Sequence, residues 1–270
     1  MSYTFGGATA DDITGTTVFV SGADNGSCLV CGWWYPTTLT ATRGYWSCGN
    51  TFGAEVDATT SEIRMRTDNT TDGQWLTSGA GITTNKWWFL AFLSATENTT
   101  VAGAWRVWVG DADNPPAEKT VTNPTARSGN YTGNSNFYLG NKGTGTLAFQ
   151  GQIGWACIIG SPAVGHSNPF SLGTSGVIND WEAQNTKIRW VDPIYRGSQS
   201  IGNYPTALLP ATYCITHFDL TAPLGTKSNR SHTNAPANTP PTINGATFSH
   251  NQPPRRLAHD WTNQLSLIRR

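Results

Sequence analysis

The chain has 270 residues, 17 of them basic and 17 acidic, and only 13 % of its residues are charged. A neutral chain lacks the basic face of a general nucleic-acid binder and the charge needed for electrostatic attachment to a membrane. No stretch reaches the ~18 apolar residues of a transmembrane helix, and the segment MSYTFGGATADD lacks the basic start and apolar core of a secretory signal. We therefore expect a soluble protein, made in the cytoplasm, with neither nucleic acid nor a membrane as partner.

The composition favours strands and turns over helices. The 29 Gly and 15 Pro would interrupt long helices, while Thr favours strands and Gly, Asn and Pro mark turns. The 12 Trp are a high number, and core packing is expected to use most of them. An odd number of cysteines, five, fits buried reduced thiols better than a disulfide framework. Cys28 and Cys31 form a CxxC, but residues three apart on a strand point to opposite faces, which disfavours a zinc or redox pair.

Apolar residues alternate with period two in several segments, as they do in half-buried strands. Residues 27–36 (SCLVCGWWYP) place apolar side chains on both faces of a predicted strand. Residues 61–67 (SEIRMRT) place Ile63 and Met65 inward. The outward side chains of this strand are Glu62, Arg64 and Arg66. Residues 86–93 (KWWFLAFL) are apolar on both faces, which is typical of a central strand in a sandwich.

Further strands are predicted along the chain. Residues 104–110 (AWRVWVG), the polar turn DADNPP and residues 118–122 (EKTVT) predict a hairpin. Residues 137–160 are interpreted as three short strands joined by Gly turns. Residues 208–221 (LLPATYCITHFDLT) again have the composition of a strand.

The C-terminal part differs in pattern. Residues 177–185 (VINDWEAQN) and 257–268 (LAHDWTNQLSLI) are the only convincing helix candidates. Residues 233–254 begin with a Pro- and Asn-rich run and are predicted to be extended. We therefore interpret residues 1–254 as one domain that ends in this extended segment, and residues 255–270 as a basic amphipathic tail.

The order and spacing of these segments resemble those of the concanavalin A-like lectin and laminin-G-like jelly rolls. Four segments carry the resemblance: SYTFGG at residues 2–7, CGWWYPTTLTATRGYWSCGN at 31–50, the hairpin at 86–110 and the closing segment at 137–160. In the hairpin, Trp108 stands where Tyr is common in that family. The final strand and the Pro-rich end are similar to those of phage and marine viral members. The resemblance implies an all-β protein, a two-sheet antiparallel β-sandwich of the concanavalin A-like jelly-roll class, with a short helical or extended C-terminal tail.

This fold hosts lectins, glycoside hydrolases and structural modules, so it does not decide the function. Its glucanase members carry Glu-x-Asp-x-x-Glu, or one residue more, on a strand, which sets the two carboxylates at the short separation that retention requires. The nearest match is EVDATTSE, where Glu55 and Asp57 share a face but Glu62 comes seven residues after Glu55, across a turn. The motif therefore fails by two or three residues, and we predict no catalytic residues and no enzymatic activity.

One predicted loop offers oxygen ligands. Asp111, Asp113 and Asn114 cluster in the hairpin turn and provide the hard oxygens that calcium prefers. The same residues are typical of an ordinary turn in which Asp and Asn side chains cap the backbone without a metal. Calcium is the one cofactor that the sequence suggests, and both interpretations stay open.

The tail combines charge with an apolar helical stripe. Four arginines bracket four apolar residues spaced four, four and three apart, which lie on one face of a helix. These residues are Arg255, Arg256, Leu257, Trp261, Leu265, Ile268, Arg269 and Arg270. Because a helix this short needs a surface to pack against, the tail either docks on its own domain or binds another subunit.

Two functional hypotheses follow. The first is a non-enzymatic virion protein: a bacteriophage capsid decoration or cement protein that binds and bridges shell subunits, forms a homo-oligomer and is made in the host cytoplasm. It depends on the low charge, the missing catalytic spacing, the tail and the resemblance to viral members. The alternative is a lectin-like carbohydrate-binding module of a tail fibre or adhesin that contacts host surface glycans. A sugar site needs an aromatic surface beside polar side chains, and no sequence feature selects one.

Overall fold

A computed structural model of the chain describes residues 2–15, 28–49, 52–57, 62–66, 74–77, 79–94, 105–114, 116–122, 136–142, 145–160, 214–218, 229–232, 242–251 and 253. Every helix or strand element within these ranges is a β-strand, and the ranges contain no helix long and apolar enough to cross a membrane. The predicted helices at 177–185 and 257–268 lie outside the described residues, as does the whole tail at 255–270.

The described strands form two antiparallel sheets that pack as a jelly-roll β-sandwich, as predicted. The first sheet contains β1 (Ser2–Gly6), β3 (Cys28–Pro36), β8 (Trp88–Ser94), β9 (Trp105–Gly110), β10 (Ala117–Lys119), β13 (Gln150–Gly160), β14 (Cys214–Phe218), β15 (Asn229–His232) and β17 (Thr247–Ser249). The second contains β2 (Asp12–Gly15), β4 (Arg43–Cys48), β5 (Phe52–Val56), β6 (Ile63–Arg66), β7 (Gln74–Thr77), β11 (Val121–Thr122), β12 (Phe137–Leu139) and β16 (Thr242–Asn244).

The spatial order shows how often the chain crosses between the sheets. The first sheet runs β10-β9-β8-β3-β13-β1-β17, while β14 pairs with β13 and carries β15. The second runs β11-β7-β6-β5-β4-β12-β2-β16. In this second sheet β4, β5, β6 and β7 follow one another as a meander, so residues close in sequence become neighbours across its middle.

The core lies between the sheets and is built by alternation along each strand. In β6, Ile63 and Met65 are fully buried while Arg64 and Arg66 are partly exposed, which confirms the predicted orientation. Aromatic side chains contribute most of the volume. They include Phe5, Trp34, Tyr45, Trp46, Phe92, Phe137 and Phe149. Because side chains of this size dominate core energetics, the aromatic cluster is a main source of the sandwich's stability.

Strands β3, β8 and β9 of the first sheet carry buried side chains on both faces. In β8, Leu90 and Phe92 belong to the core between the sheets, whereas Phe89 lies on the opposite face and is also fully buried. Trp33 of β3 packs edge-to-face on Phe89, with ring centroids 5.6 Å apart. Trp108 of β9 is buried on the same face. The predicted strand with two apolar faces is therefore confirmed.

Tryptophans and cysteines follow the predictions where their side chains are described. The six described tryptophan side chains are all buried: Trp33, Trp34, Trp46, Trp87, Trp88 and Trp108. Cys31 and Cys48 are buried and are not part of a disulfide, as expected for reduced, packed cysteines. The side chains of the other three cysteines lie outside the described part.

One segment differs from its prediction. Residues 137–160 form two strands and not three: β12 in the second sheet and the eleven-residue β13 in the first. Gly140 does turn the chain, with φ 77°, and a Cβ there would come within 2.6 Å of the Phe5 ring. Gly154, by contrast, lies inside β13 at a bulge opposite β3 and makes room for Pro253. A glycine of this second kind continues a strand instead of ending it.

The C-terminal strand closes the first sheet. β17 pairs with β1, which sets Tyr3 opposite Phe248 with their rings 5.6 Å apart. Ser2 Oγ donates to Asn251 O at 2.8 Å, and Asn251 Nδ2 donates to Gln152 Oε1 at 2.6 Å. The described part of the predicted extended segment is therefore extended, and strand pairing attaches it to the sandwich.

Candidate binding site

The second sheet presents polar residues on the side away from the core. Along β4, β5 and β6, the core residues Trp46, Ala54 and Met65 alternate with residues that point outward. Cross-strand register aligns the outward residues in two adjacent rows. One row consists of Tyr138, Ser47, Gly53 and Arg66, and the next consists of Gly44, Glu55 and Arg64. We call the surface formed by these two rows the polar face.

Buried carboxylates on and beside the polar face are paired with arginines. Arg66 Nε donates to Glu55 Oε1 at 2.7 Å, and Arg64 Nη1 lies 3.5 Å from the same oxygen. Arg64 Nη2 forms an ion pair with Asp57 Oδ2. Burial, together with the charge of Arg66, lowers the pKa of Arg64. Glu55 and Asp57 are only 5 % and 4 % exposed, and a buried carboxylate left without such a partner would cost free energy.

A small depression opens beside this charge network. Its volume is about 20 Å³, which is room for one water-sized group. Its lining includes Ser47, Gly53, Glu55, Arg66, Asn141 and Lys142. Ser47 and Gly53, the smallest of these residues, form its floor, and the partly exposed Arg66 and Lys142 form its rim. The depression therefore suits one polar substituent of a ligand that lies across the sheet, not an enclosed small molecule.

Lys142 supplies a cation at this rim. Its side chain is half-buried, and within the described part of the chain its Nζ donates no hydrogen bond. Burial lowers the pKa of Lys142, the charge of Glu55 raises it, and the charge of Arg66 lowers it, with a net downward direction. The ammonium is thus partly desolvated and stands beside both a carboxylate and a second cation.

Asn141 fixes the turn that carries Lys142. Its Nδ2 donates to the backbone oxygens of Thr9 at 3.0 Å and Asp11 at 3.2 Å. Its Oδ1 accepts from the backbone N–H groups of Lys142 at 2.8 Å and Leu147 at 3.2 Å. The fully buried side-chain amide therefore ties three pieces of backbone together, and the backbone oxygen of Asn141 accepts from the hydroxyl of Ser47 at 3.1 Å.

Gly44 lets this turn approach β4. The backbone N–H of Gly44 donates to Leu147 O at 2.6 Å, and a Cβ at Gly44 would come within 3.1 Å of the same oxygen. Gly145 adopts φ 71° and closes the turn by donating its N–H to Lys142 O at 2.7 Å. These two glycines place the Lys142 side chain over the middle of the second sheet.

The three acids of the EVDATTSE segment do not share a strand. Glu55 lies in β5 and Asp57 just after it, while Glu62 directly precedes β6, across the hairpin, where its carbonyl accepts from Asp57 N at 2.8 Å. The spacing prediction, in which the third acid falls beyond a turn, agrees with this placement. The two acids that do share a face are both engaged by arginines.

The predicted calcium residues form an Asp-capped turn. Asp111 Oδ1 accepts from the backbone N–H groups of Asp113 at 2.8 Å and Asn114 at 2.9 Å, and Oδ2 accepts from Lys86 Nζ at 2.7 Å. Burial alone would raise the pKa of Asp111, but the hydrogen bonds from Lys86 and the turn lower it to about 2. These contacts are those of a turn capped by an Asp side chain, and a calcium ion bound by Oδ2 would compete with the Lys86 ammonium.

Two further observations concern the predicted sites. Among the residues that the structure describes, no group of three His, Cys, Asp or Glu side chains could hold a metal ion. The predicted partner-binding residues of the tail, from Arg255 to Arg270, lie outside the described residues. Calcium binding and tail-mediated contacts therefore stay predictions.

Sequence patterns did not single out the residues that build the depression. Lys142 and Asn141 lie in residues 141–145 (NKGTG), a pattern that indicates only a turn containing glycine. Arg64 and Arg66 were predicted to point outward, but their pairing with Glu55 was not predicted. The hairpin EVDATTSEIRMRT did contain a signal for this pairing, because two antiparallel strands joined by a turn place charged residues at alternate positions opposite one another.

No protein-family model matches the sequence, and no curated protein sequence matches it either. Solved structures that resemble the chain include the heptameric SAP-like pentraxin from Limulus polyphemus, with a TM-score of 0.43 and 11 % identity over 58 % of this chain and 74 % of that one. A candidate carbohydrate-binding protein from Bacteroides ovatus gives a TM-score of 0.38 and 11 % identity over 58 % of this chain and 42 % of that one. The CBM40 of the Ruminococcus gnavus IT-sialidase gives a TM-score of 0.32 and 17 % identity over 47 % of this chain and 72 % of that one. Likenesses this distant do not identify a ligand, and the sandwich architecture follows from the chain's own strand pairings.

Proposed function

We propose that this chain is a non-enzymatic, lectin-like carbohydrate-binding module and that the polar face of the second sheet is its binding surface. The observation that carries the proposal is the depression, where fixed polar groups converge on a shallow floor of Ser47 and Gly53. Half-buried Tyr138 points outward beside that floor and supplies an aromatic surface. Convergent polar groups next to an aromatic ring are what sugar recognition requires.

The charge network supports binding over hydrolysis. Retaining glycoside hydrolysis needs one carboxyl group that carries a proton and a second that attacks the sugar. Here Glu55 forms an ion pair with Arg66, and Asp57 forms one with Arg64, so both acids are already engaged by the arginines of β6. Their side chains are tied to the sheet and do not face one another across a cleft.

A glycan array tests the proposal. We expect the purified chain to bind a subset of immobilised glycans, and the Tyr138→Ala variant to bind the same glycans more weakly, by about 1 kcal/mol or more. We also expect no release of reducing ends when the bound glycans are incubated with the protein. An array without any hit, or hydrolysis of a bound glycan, would overturn the proposal.

The predicted role as a phage capsid decoration protein stays a prediction. It depends most on the tail at 255–270, which the structure does not describe. Virion localisation, a capsid partner and a homo-oligomer all belong to that hypothesis. Comparing particle binding by the full chain and by a chain ending at residue 254 tests it, because a cement role through the tail predicts that the shortened chain no longer binds.

A further inference from the structure

We infer that the ligand of the polar face is an acidic sugar, and that its carboxylate or sulfate group binds at the depression between Lys142 and Arg66. This inference rests on the proposed function, since it names the class of glycan for the same surface. It uses only residues whose side chains the structure describes.

The charges that line the depression favour an anion. Lys142 and Arg66 contribute two positive charges to the lining of the depression, and Glu55 contributes one negative charge. The Oε1 atom of Glu55 already faces Arg66 at 2.7 Å and Arg64 at 3.5 Å. Asp57 is not part of the lining and pairs with Arg64. The depression therefore carries an excess of one positive charge, which favours an anion.

The ammonium of Lys142 is partly removed from water. The side chain of Lys142 is half-buried, and its ammonium donates no hydrogen bond within the described residues. Burial disfavours the charged ammonium, the charge of Glu55 favours it, and the charge of Arg66 disfavours it. A partly buried charge of this kind costs free energy unless it is paired. An anionic group in the depression would accept the hydrogen bonds that this ammonium does not donate to the described residues, and a neutral hydroxyl would stabilise it less because its hydrogen bond is not charge-assisted on both sides.

Hydrogen bonds within the protein hold Lys142 and Arg66 in place before a ligand binds. The backbone of Lys142 is fixed by the Asn141 amide, and the guanidinium of Arg66 is oriented by its hydrogen bond to Glu55. Groups that are already held in place lose little conformational freedom on binding. The volume of about 20 Å³ accepts one polar substituent, so the rest of the sugar would lie across the polar face.

A divalent cation is a poor competitor for this site. The lining contains two positively charged side chains, Arg66 and Lys142, and a single carboxylate, that of Glu55, which already accepts from Arg66. Calcium needs several oxygen ligands with negative charge among them. The charge pattern thus favours an anion directly, without a bridging metal.

The experiment compares matched glycans on an array that carries carboxylated, sulfated and neutral members. Binding constants for the strongest hit are then measured by calorimetry, alongside the same glycan after its carboxylates are methyl-esterified or its sulfates removed. The protein is the full chain, as wild type and as Lys142→Gln, with Lys142→Arg as a charge-retaining variant. Lys119→Gln, which removes a lysine from β10 of the first sheet, is the matched control.

We expect hits to be confined to acidic glycans, and neutralising the ligand to weaken binding. Lys142→Gln should lower the affinity about tenfold, Lys142→Arg should retain most of it, and Lys119→Gln should have no effect. Whether carboxylated or sulfated glycans bind identifies the anion. Neutral glycans that bind as tightly as acidic ones, or an unchanged affinity of Lys142→Gln, would overturn the inference but leave the proposed function standing. An array without any hit would overturn both.

Discussion

The outer faces of the two sheets differ in kind. On the first sheet, Trp33, Phe89 and Trp108 point away from the sandwich core and are still buried, at 0 %, 0 % and 1 % exposure. On the second sheet, the outward positions carry arginines, a glutamate, glycines and a serine, and Arg64 and Arg66 remain partly exposed. The outward face of the first sheet therefore carries buried apolar side chains, while that of the second carries small and polar residues, of which Arg64, Arg66 and Tyr138 are partly exposed.

This difference assigns separate roles to the two faces. Large apolar side chains excluded from water contribute to the free energy of unfolding, so the outward face of the first sheet should matter for stability. Charged groups that keep contact with solvent, such as those of Lys142 and Arg66, contribute to selecting a ligand, while the buried charge of Glu55 also contributes to folding. Substitution of a buried aromatic side chain of the first sheet should thus lower stability most, substitution of Glu55 should lower it less, and substitution of Lys142 should change binding.

The largest effect is expected for Trp33→Ala. Its indole is fully buried against Phe89, and removing a buried tryptophan from a packed layer costs about 3–5 kcal/mol. Urea unfolding followed by fluorescence measures the change in the free energy of unfolding. A loss below about 1 kcal/mol would mean that the outward face of the first sheet is not a packed layer.

A smaller effect is expected for Glu55→Gln. The substitution leaves Arg64 and Arg66 without the carboxylate that they share, and because both arginines keep some solvent contact we expect a loss of about 2 kcal/mol. Glu118→Gln is the control: Glu118 forms two short hydrogen bonds with Arg106, at 2.7 and 2.6 Å, but it is exposed. Exposed pairs contribute about 0–1 kcal/mol, so equal losses for the two variants would contradict the account.

The turn at Asp111 predicts an acid-sensitive contribution. The pKa of Asp111 is lowered from 3.8 to about 2 in the folded chain, so the stabilisation is present above the unfolded value and is lost as the pH falls between these two values. We expect a contribution on the order of 1 kcal/mol. Asp111→Asn should remove this part of the pH dependence of unfolding, and a variant whose stability falls with acid as steeply as the wild type would disprove it.

The smallest effect on folding is expected for Lys142→Gln. Within the described residues its ammonium donates no hydrogen bond, and the backbone contacts to Asn141 do not involve its side chain. The free energy of unfolding should change by less than about 0.5 kcal/mol. A loss above about 1 kcal/mol in the same urea experiment would show that Lys142 is part of the folding network and not of a binding surface.

Most of the strands could be predicted from the sequence. Period-two alternation identified β3 and β6, and the inward and outward sides of β6 were predicted residue by residue. The continuous apolar run in β8 indicated a strand buried on two faces. The error at 137–160 arose because Gly140 and Gly154 look alike in sequence, yet one turns the chain and the other makes room for Pro253.

The depression could not be predicted from the sequence in the same way. It depends on Asn141 reaching Thr9 and Asp11, which lie 132 and 130 residues away in the chain, and on the position of Lys142 over β5 and β6. No local pattern encodes contacts between segments so distant in sequence. Only the pairing of Glu55 with the arginines of the adjacent strand had a local signal, in the register of a single hairpin.

Amide chemical-shift mapping tests the central claim most directly. The strongest glycan found on the array is titrated into isotope-labelled protein. The account predicts that the amide signals of Ser47, Gly53 and Lys142 shift together with one binding constant, while those of β10 in the first sheet stay unchanged. Shifts confined to the first sheet or to the turn at Asp111, with the polar face silent, would contradict it.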